Sequence, residues 1–61
     1  MKQYIGKKVY ILVDVKGQSM HYNCEVLEVN NTHVSILDKF NQKYTFRIID
    51  IIEIREEKEQ S

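Results

Sequence analysis

Apolar and polar residues alternate along most of this chain, and the places where the alternation breaks carry as much information as the alternation itself. In Lys7-Lys8-Val9-Tyr10-Ile11-Leu12-Val13, Val9, Ile11 and Val13 fall on one face and Tyr10 and Leu12 on the other. This predicts a strand over 7–13 that is buried on one side and partly covered on the second. Gly6 supplies backbone freedom where the chain enters it. Residues 14–19, with Lys16-Gly17 inside them, read as a hairpin loop in which Gly17 takes a positive φ. Next, Met20, Tyr22, Cys24 and Val26 alternate with His21, Asn23 and Glu25. The phase then slips, because Leu27 and Val29 are apolar and Glu28 is polar. A period of two can shift by one only where a strand bends or bulges, so the second strand bends near Val26-Leu27. Asn30-Asn31-Thr32 reads as a tight turn with asparagine in the left-handed region. A third strand over 33–38 points Val34 and Ile36 inward, and the chain turns again at Asn41.

The segment Thr45-Phe46-Arg47-Ile48-Ile49-Asp50-Ile51-Ile52-Glu53-Ile54 fits a helix face and a strand face equally well at first sight. Its isoleucines lose side-chain freedom in a helix and suit a pleated surface. Its phase changes exclude a single strand. The remaining reading is a strand through Tyr44, Phe46 and Ile48, a one-turn corner at Ile49-Asp50, and a last strand with Ile52 and Ile54 inward. Asp50 is then placed to accept a backbone N–H of the corner. The expected fold class is all-β: five strands in a strongly bent antiparallel sheet, a small barrel.

Length and composition narrow the picture. Sixty-one residues without a proline, an internal repeat or a linker composition make a single domain over 1–55, followed by an acidic tail over 56–61 expected to be disordered. A chain this short buries only about 60% of its unfolded surface, so oligomerisation would remedy a small core. Cys24 is the single cysteine, which excludes an internal disulfide and a cysteine-rich zinc site. One free thiol, no basic-then-apolar leader pattern and no long apolar run give the expectation of a cytoplasmic protein with no membrane partner. Net charge is zero but uneven: Lys2, Lys7, Lys8, Lys16, Lys39, Lys43 and Arg47 outnumber the acids through Ile48 by three, and acids outnumber bases by three after it. A basic body permits a polyanionic partner without demanding one.

The order of a bent second strand, an asparagine turn, a short third strand and a strand–corner–strand ending resembles the Sm-like barrels, the LSm and Hfq type. Residues 46–54 are similar to the second Sm motif, and residues 9–37 to the first, with Asn31-Thr32-His33 at its turn. "YIGKKVYILVDVKG" and "EVLEVNNTHVSILD…YTFRIIDI" also resemble the Sm-like C-terminal domain of the ribosome maturation factor RimP. Ile48 stands where the second motif has glycine, and the Lys-His pair of Hfq is absent after the fourth strand. The resemblance implies that Arg47 joins the turn after the second strand in a base pocket. There His33 stacks on a base and Asn31 hydrogen-bonds its edge. It also implies rings closed by pairing the fourth strand of one copy with the fifth of the next, here through Phe46, Ile48, Ile52 and Ile54.

Other candidate chemistry is thin. Lys7, Lys8, Lys39 and Lys43 form a candidate phosphate-tracking rim, with Tyr4, Tyr10 or Phe40 as stacking platforms, although edge lysines also keep sheets soluble. The plain alternative for Arg47 is an ion pair with Asp38 or Glu53. His21, Cys24 and His33 are the soft metal ligands, but His21 and Cys24 differ in parity and face opposite sides of their strand, so no metal site or cofactor is expected. Nothing pairs a nucleophile with a base, so no enzyme is expected. Two functions remain: a homo-oligomeric scaffold or chaperone binding single-stranded RNA, or an adaptor docking another protein through an edge strand or the Tyr10/Leu12 surface without RNA binding.

Overall fold

The computed structural model describes residues 1–57. Five antiparallel strands form one sheet in the order β4-β3-β2-β1-β5. They are β1 (Lys8–Val15), β2 (Gln18–Val29), β3 (His33–Asp38), β4 (Lys43–Arg47) and β5 (Ile51–Glu56). Short 3₁₀ turns precede β1 at Lys2–Tyr4 and join β4 to β5 at Ile48–Asp50. The ladders end on β4 and β5, with no pairing between those two strands among the described residues.

One face of the sheet carries the core. Val9, Ile11, Val13, Val26, Val34 and Ile36 are fully buried and Cys24 nearly so. They occupy the alternate positions that the sequence pattern assigns inward on β1, β2 and β3. The sheet curls strongly enough to bring β4 over the first half of β2, although these strands share no ladder. Tyr22 of β2 meets Tyr44 at 5.4 Å and Phe46 at 5.3 Å between ring centroids. Aromatic pairs at this spacing add to stability beyond the area they cover.

The predicted break in β2 is a bulge. Val26 pairs with Ile36 and Glu28 with Ser35, which leaves Leu27 as the extra residue. The first hairpin is tighter than the loop expected over 14–19: the ladder runs on to Val15 opposite Gln18. Lys16 (φ 52°) and Gly17 (φ 82°) both take positive φ, as a two-residue type I′ turn requires, so four of the six residues read as loop are strand.

Three expectations are corrected. Neither Asn30 nor Asn31 is left-handed; the turn is built instead on the Asn30 side chain, whose Oδ1 accepts the N–H groups of Thr32 and His33 at 2.8 Å each. In β5, Ile52 is exposed, and Ile51 and Ile54 are the residues packed against the core. The cause is a second register shift, between Leu12 and Val13, where Val13 pairs with Ile51 and Leu12 with Glu53, so Ile52 is the unpaired residue. Lastly, the chain does not leave the sheet at residue 56. Glu56 ends β5, and the Glu57 N–H donates to the Lys8 carbonyl at 2.9 Å. The rest of the expected tail, 58–61, lies outside the described residues.

Candidate nucleic-acid interface

The β2–β3 turn and the β4–β5 corner lie side by side. The Ile48 N–H donates to the Thr32 carbonyl at 2.8 Å, tying the corner to the turn. His33 opens β3 and Arg47 closes β4, and the two are direct partners in the ladder. Their inward neighbours Val34 and Phe46 pack on the core side, so His33 and Arg47 share the outer face.

Local hydrogen bonds hold this end. Besides the two backbone donors, Asn30 Oδ1 receives the Thr32 hydroxyl at 3.2 Å, and that hydroxyl oxygen lies 2.7 Å from His33 Nδ1. A hydroxyl has one proton, and Oδ1 can only accept. When Thr32 donates to Asn30, His33 must therefore donate from Nδ1, which leaves Nε2 as the free ring nitrogen. Thr32 thus orients the histidine, a role the sequence pattern did not assign to it. Asn31 is exposed and has no side-chain hydrogen bond among the described residues, so its amide is free for a ligand.

Arg47 is not paired with Asp38 or Glu53. Its Nε lies 3.0 Å from Asp50 Oδ2 and its Nη2 3.4 Å from Oδ1. Arg47 is the residue before the Ile48–Asp50 turn, and in a 3₁₀ turn residues three apart eclipse, so the two side chains meet. The Asp50 carboxylate therefore serves Arg47 and not a backbone N–H of the corner as expected.

The candidate lysines divide into two groups. Lys43 lies on the outer face of β4 with Arg47, opposite Leu37, and between them Ser35 and Thr45 exchange a hydroxyl hydrogen bond at 3.1 Å. Four steps along the strand separate Lys43 from Arg47 by about 13 Å. Lys39 extends that line into the β3–β4 turn, its ammonium 5.3 Å from the centre of the exposed Phe40 ring. Lys7 and Lys8 stand across the sheet from Arg47, and Lys8 shares a groove with Lys39. Lys7 pairs with Glu56 at 3.4 Å, and both lysines line an open groove with Glu25, Glu56 and Glu57. Their charge is largely matched by carboxylates, and they do not join Arg47.

Of the residues expected at an oligomer edge, Phe46, Ile48 and Ile54 are partly buried on the chain's own core, and Ile52 alone is exposed. Ile49 is the most exposed large apolar residue, at 85%. A groove of about 430 Å³ lies at the other end of the sheet among Lys8, Cys24, Asp38 and Lys39. Burial, and secondarily the opposite Asp38 carboxylate, push the Cys24 thiol up to about 11, so it is not a nucleophile at neutral pH. No group of three metal-ligating side chains converges among the described residues, and no helix there is long and apolar enough to cross a membrane.

Comparison of the chain with known protein families, with curated proteins and with solved structures finds no match.

Proposed function

We propose that this chain is a single-stranded RNA-binding module of the Sm-like kind, acting as a self-associating scaffold or chaperone. The observation that carries the reading is His33 opposite Arg47, on the outer face and beside the free Asn31 amide, with the corner bonded to the turn. Single-stranded RNA offers unstacked bases, which proteins hold by stacking on histidine or arginine planes and by hydrogen bonds to base edges. His33 supplies a ring oriented by Thr32, Arg47 a guanidinium plane, and Asn31 an amide that can both donate and accept. Farther along the hairpin, Lys43 and Lys39 supply positive charge for the phosphate backbone. Self-association is supported by the two open edges, β4 and β5, each of which has a strand on one side only. The test is a fluorescence-anisotropy titration at low salt with labelled U-rich and A-rich single strands and a DNA duplex of equal length. The reading requires the single strands to bind more tightly than the duplex, with affinity falling as salt rises.

A second reading rests on one observation. Ile49 and Ile52 stand exposed next to the unpaired β5 edge, which suits a protein partner that adds a strand there. It requires no RNA binding at low salt, and a docking partner whose contact is lost in Ile52→Lys.

A further inference from the structure

Arg47 is not a free cation. Asp50 takes its Nε edge through two contacts, and the carboxylate is the less accessible partner, 29% exposed against 65% for the arginine side chain. The pair is fixed by backbone geometry as well as by charge, because the 3₁₀ turn that eclipses the two residues is anchored by the Ile48 N–H on Thr32. Two consequences follow. The local net charge at the site is close to zero, so the main attraction of a guanidinium for phosphate is cancelled where it would act. The Arg47 side chain nevertheless remains mostly exposed, on the face shared with His33.

We propose that Asp50 is a selectivity residue: it holds Arg47 away from the phosphate backbone and leaves it to unstacked bases, so that the site rejects duplexes. This inference rests on the RNA-binding reading and adds to it the determinant of single-strand preference. A duplex presents phosphates and keeps its bases stacked, so it gains nothing from a neutralised arginine. A single strand offers base faces and edges, for which the orientation of the guanidinium matters more than its charge. Asp50 acts through Arg47 and is in that sense a positioning residue.

The experiment compares the full chain with Asp50→Asn, Asp50→Glu, Arg47→Ala and the Arg47→Ala/Asp50→Asn double variant. Each is titrated with a U-rich single strand and an RNA duplex across a fourfold range of salt, after circular dichroism has established a native fold. Freeing Arg47 adds one phosphate contact. Asp50→Asn should therefore raise duplex affinity roughly threefold at the low-salt end and steepen the log–log salt slope by about 0.9. Single-strand affinity should stay level or fall, so selectivity narrows. Asp50→Glu, which keeps the charge, should restore the wild-type slope. In the Arg47→Ala background, Asp50→Asn should leave the slope unchanged, an outcome that a general loss of structure would not give. If the wild type prefers single strands and Arg47→Ala weakens that binding, but Asp50→Asn changes neither slope nor selectivity, the role of Asp50 is overturned and the RNA-binding reading stands. If the wild type binds no single strand at low salt, both fall.

Discussion

His33 on β3 and Arg47 on β4 are direct cross-strand partners, fourteen positions apart in the chain (33 to 47) and adjacent on one outer face. The pairing joins the β2–β3 turn to the β4–β5 corner, and the Ile48 N–H on the Thr32 carbonyl keeps the two loops together. If a base stacks between these side chains, removing either one should weaken single-strand binding. Arg47→Ala and His33→Ala should each cost roughly tenfold in affinity, the scale of one lost stacking contact. Anisotropy titrations at fixed low salt measure this. A Lys7→Ala variant, whose ammonium already pairs with Glu56, should bind as the wild type does.

The turn itself depends on Asn30 and not on Asn31. Asn30→Ala removes the acceptor of two backbone N–H groups and one hydroxyl, and should lower stability by about 1–2 kcal/mol. Asn31→Ala, which removes no internal hydrogen bond, should change stability by less than about 0.5 kcal/mol. Urea denaturation of the two variants separates a turn-building asparagine from a ligand-facing one.

The core has little to spare. A domain of this size has a total stability of about 3–9 kcal/mol. Ile36 is fully buried, and Ile36→Ala should cost about 3 kcal/mol, a third or more of that total. Ile49→Ala, at the most exposed of the large apolar positions, should leave the urea midpoint close to the wild-type value.

Cys24 gives a pH prediction. Its thiol is raised from 9.0 to about 11 in the folded chain, by burial first and by the Asp38 charge second. A raised folded value means that the native state holds its proton more tightly than the unfolded state. The resulting stability is fully present below about pH 9 and is lost as pH rises toward 11. Cys24→Ala should flatten the decline in stability over that window. Alkylation of native Cys24 at pH 8 should be slow, and fast in denaturant.

Much of the fold was legible in the alternation of side chains. The slip at Val26-Leu27 is the β2 bulge, and the phase changes after Phe46 are the corner and the start of β5. The residue that bulges in β5 was not legible, because Ile51 and Ile52 are chemically identical and only pairing with β1 decides which one turns inward. The same holds for Asn30 and Asn31: either could build the turn, and the structure shows that Asn30 does. The Arg47–Asp50 pair had a signal in the sequence, a spacing of three across a tight corner, but that spacing brings side chains together only in a 3₁₀ turn. The separation of Lys7 and Lys8 from Arg47 depends on strand order, which alternation alone does not give.

The most direct test of the RNA-binding reading is ¹⁵N-resolved NMR of the chain titrated with a short U-rich single strand. The account predicts shift changes concentrated at Asn31, Thr32, His33, Arg47 and Asp50, with smaller ones at Lys43. Absence of any shift at low salt, or shifts confined to the Tyr10/Leu12 face or the β5 edge, would contradict it.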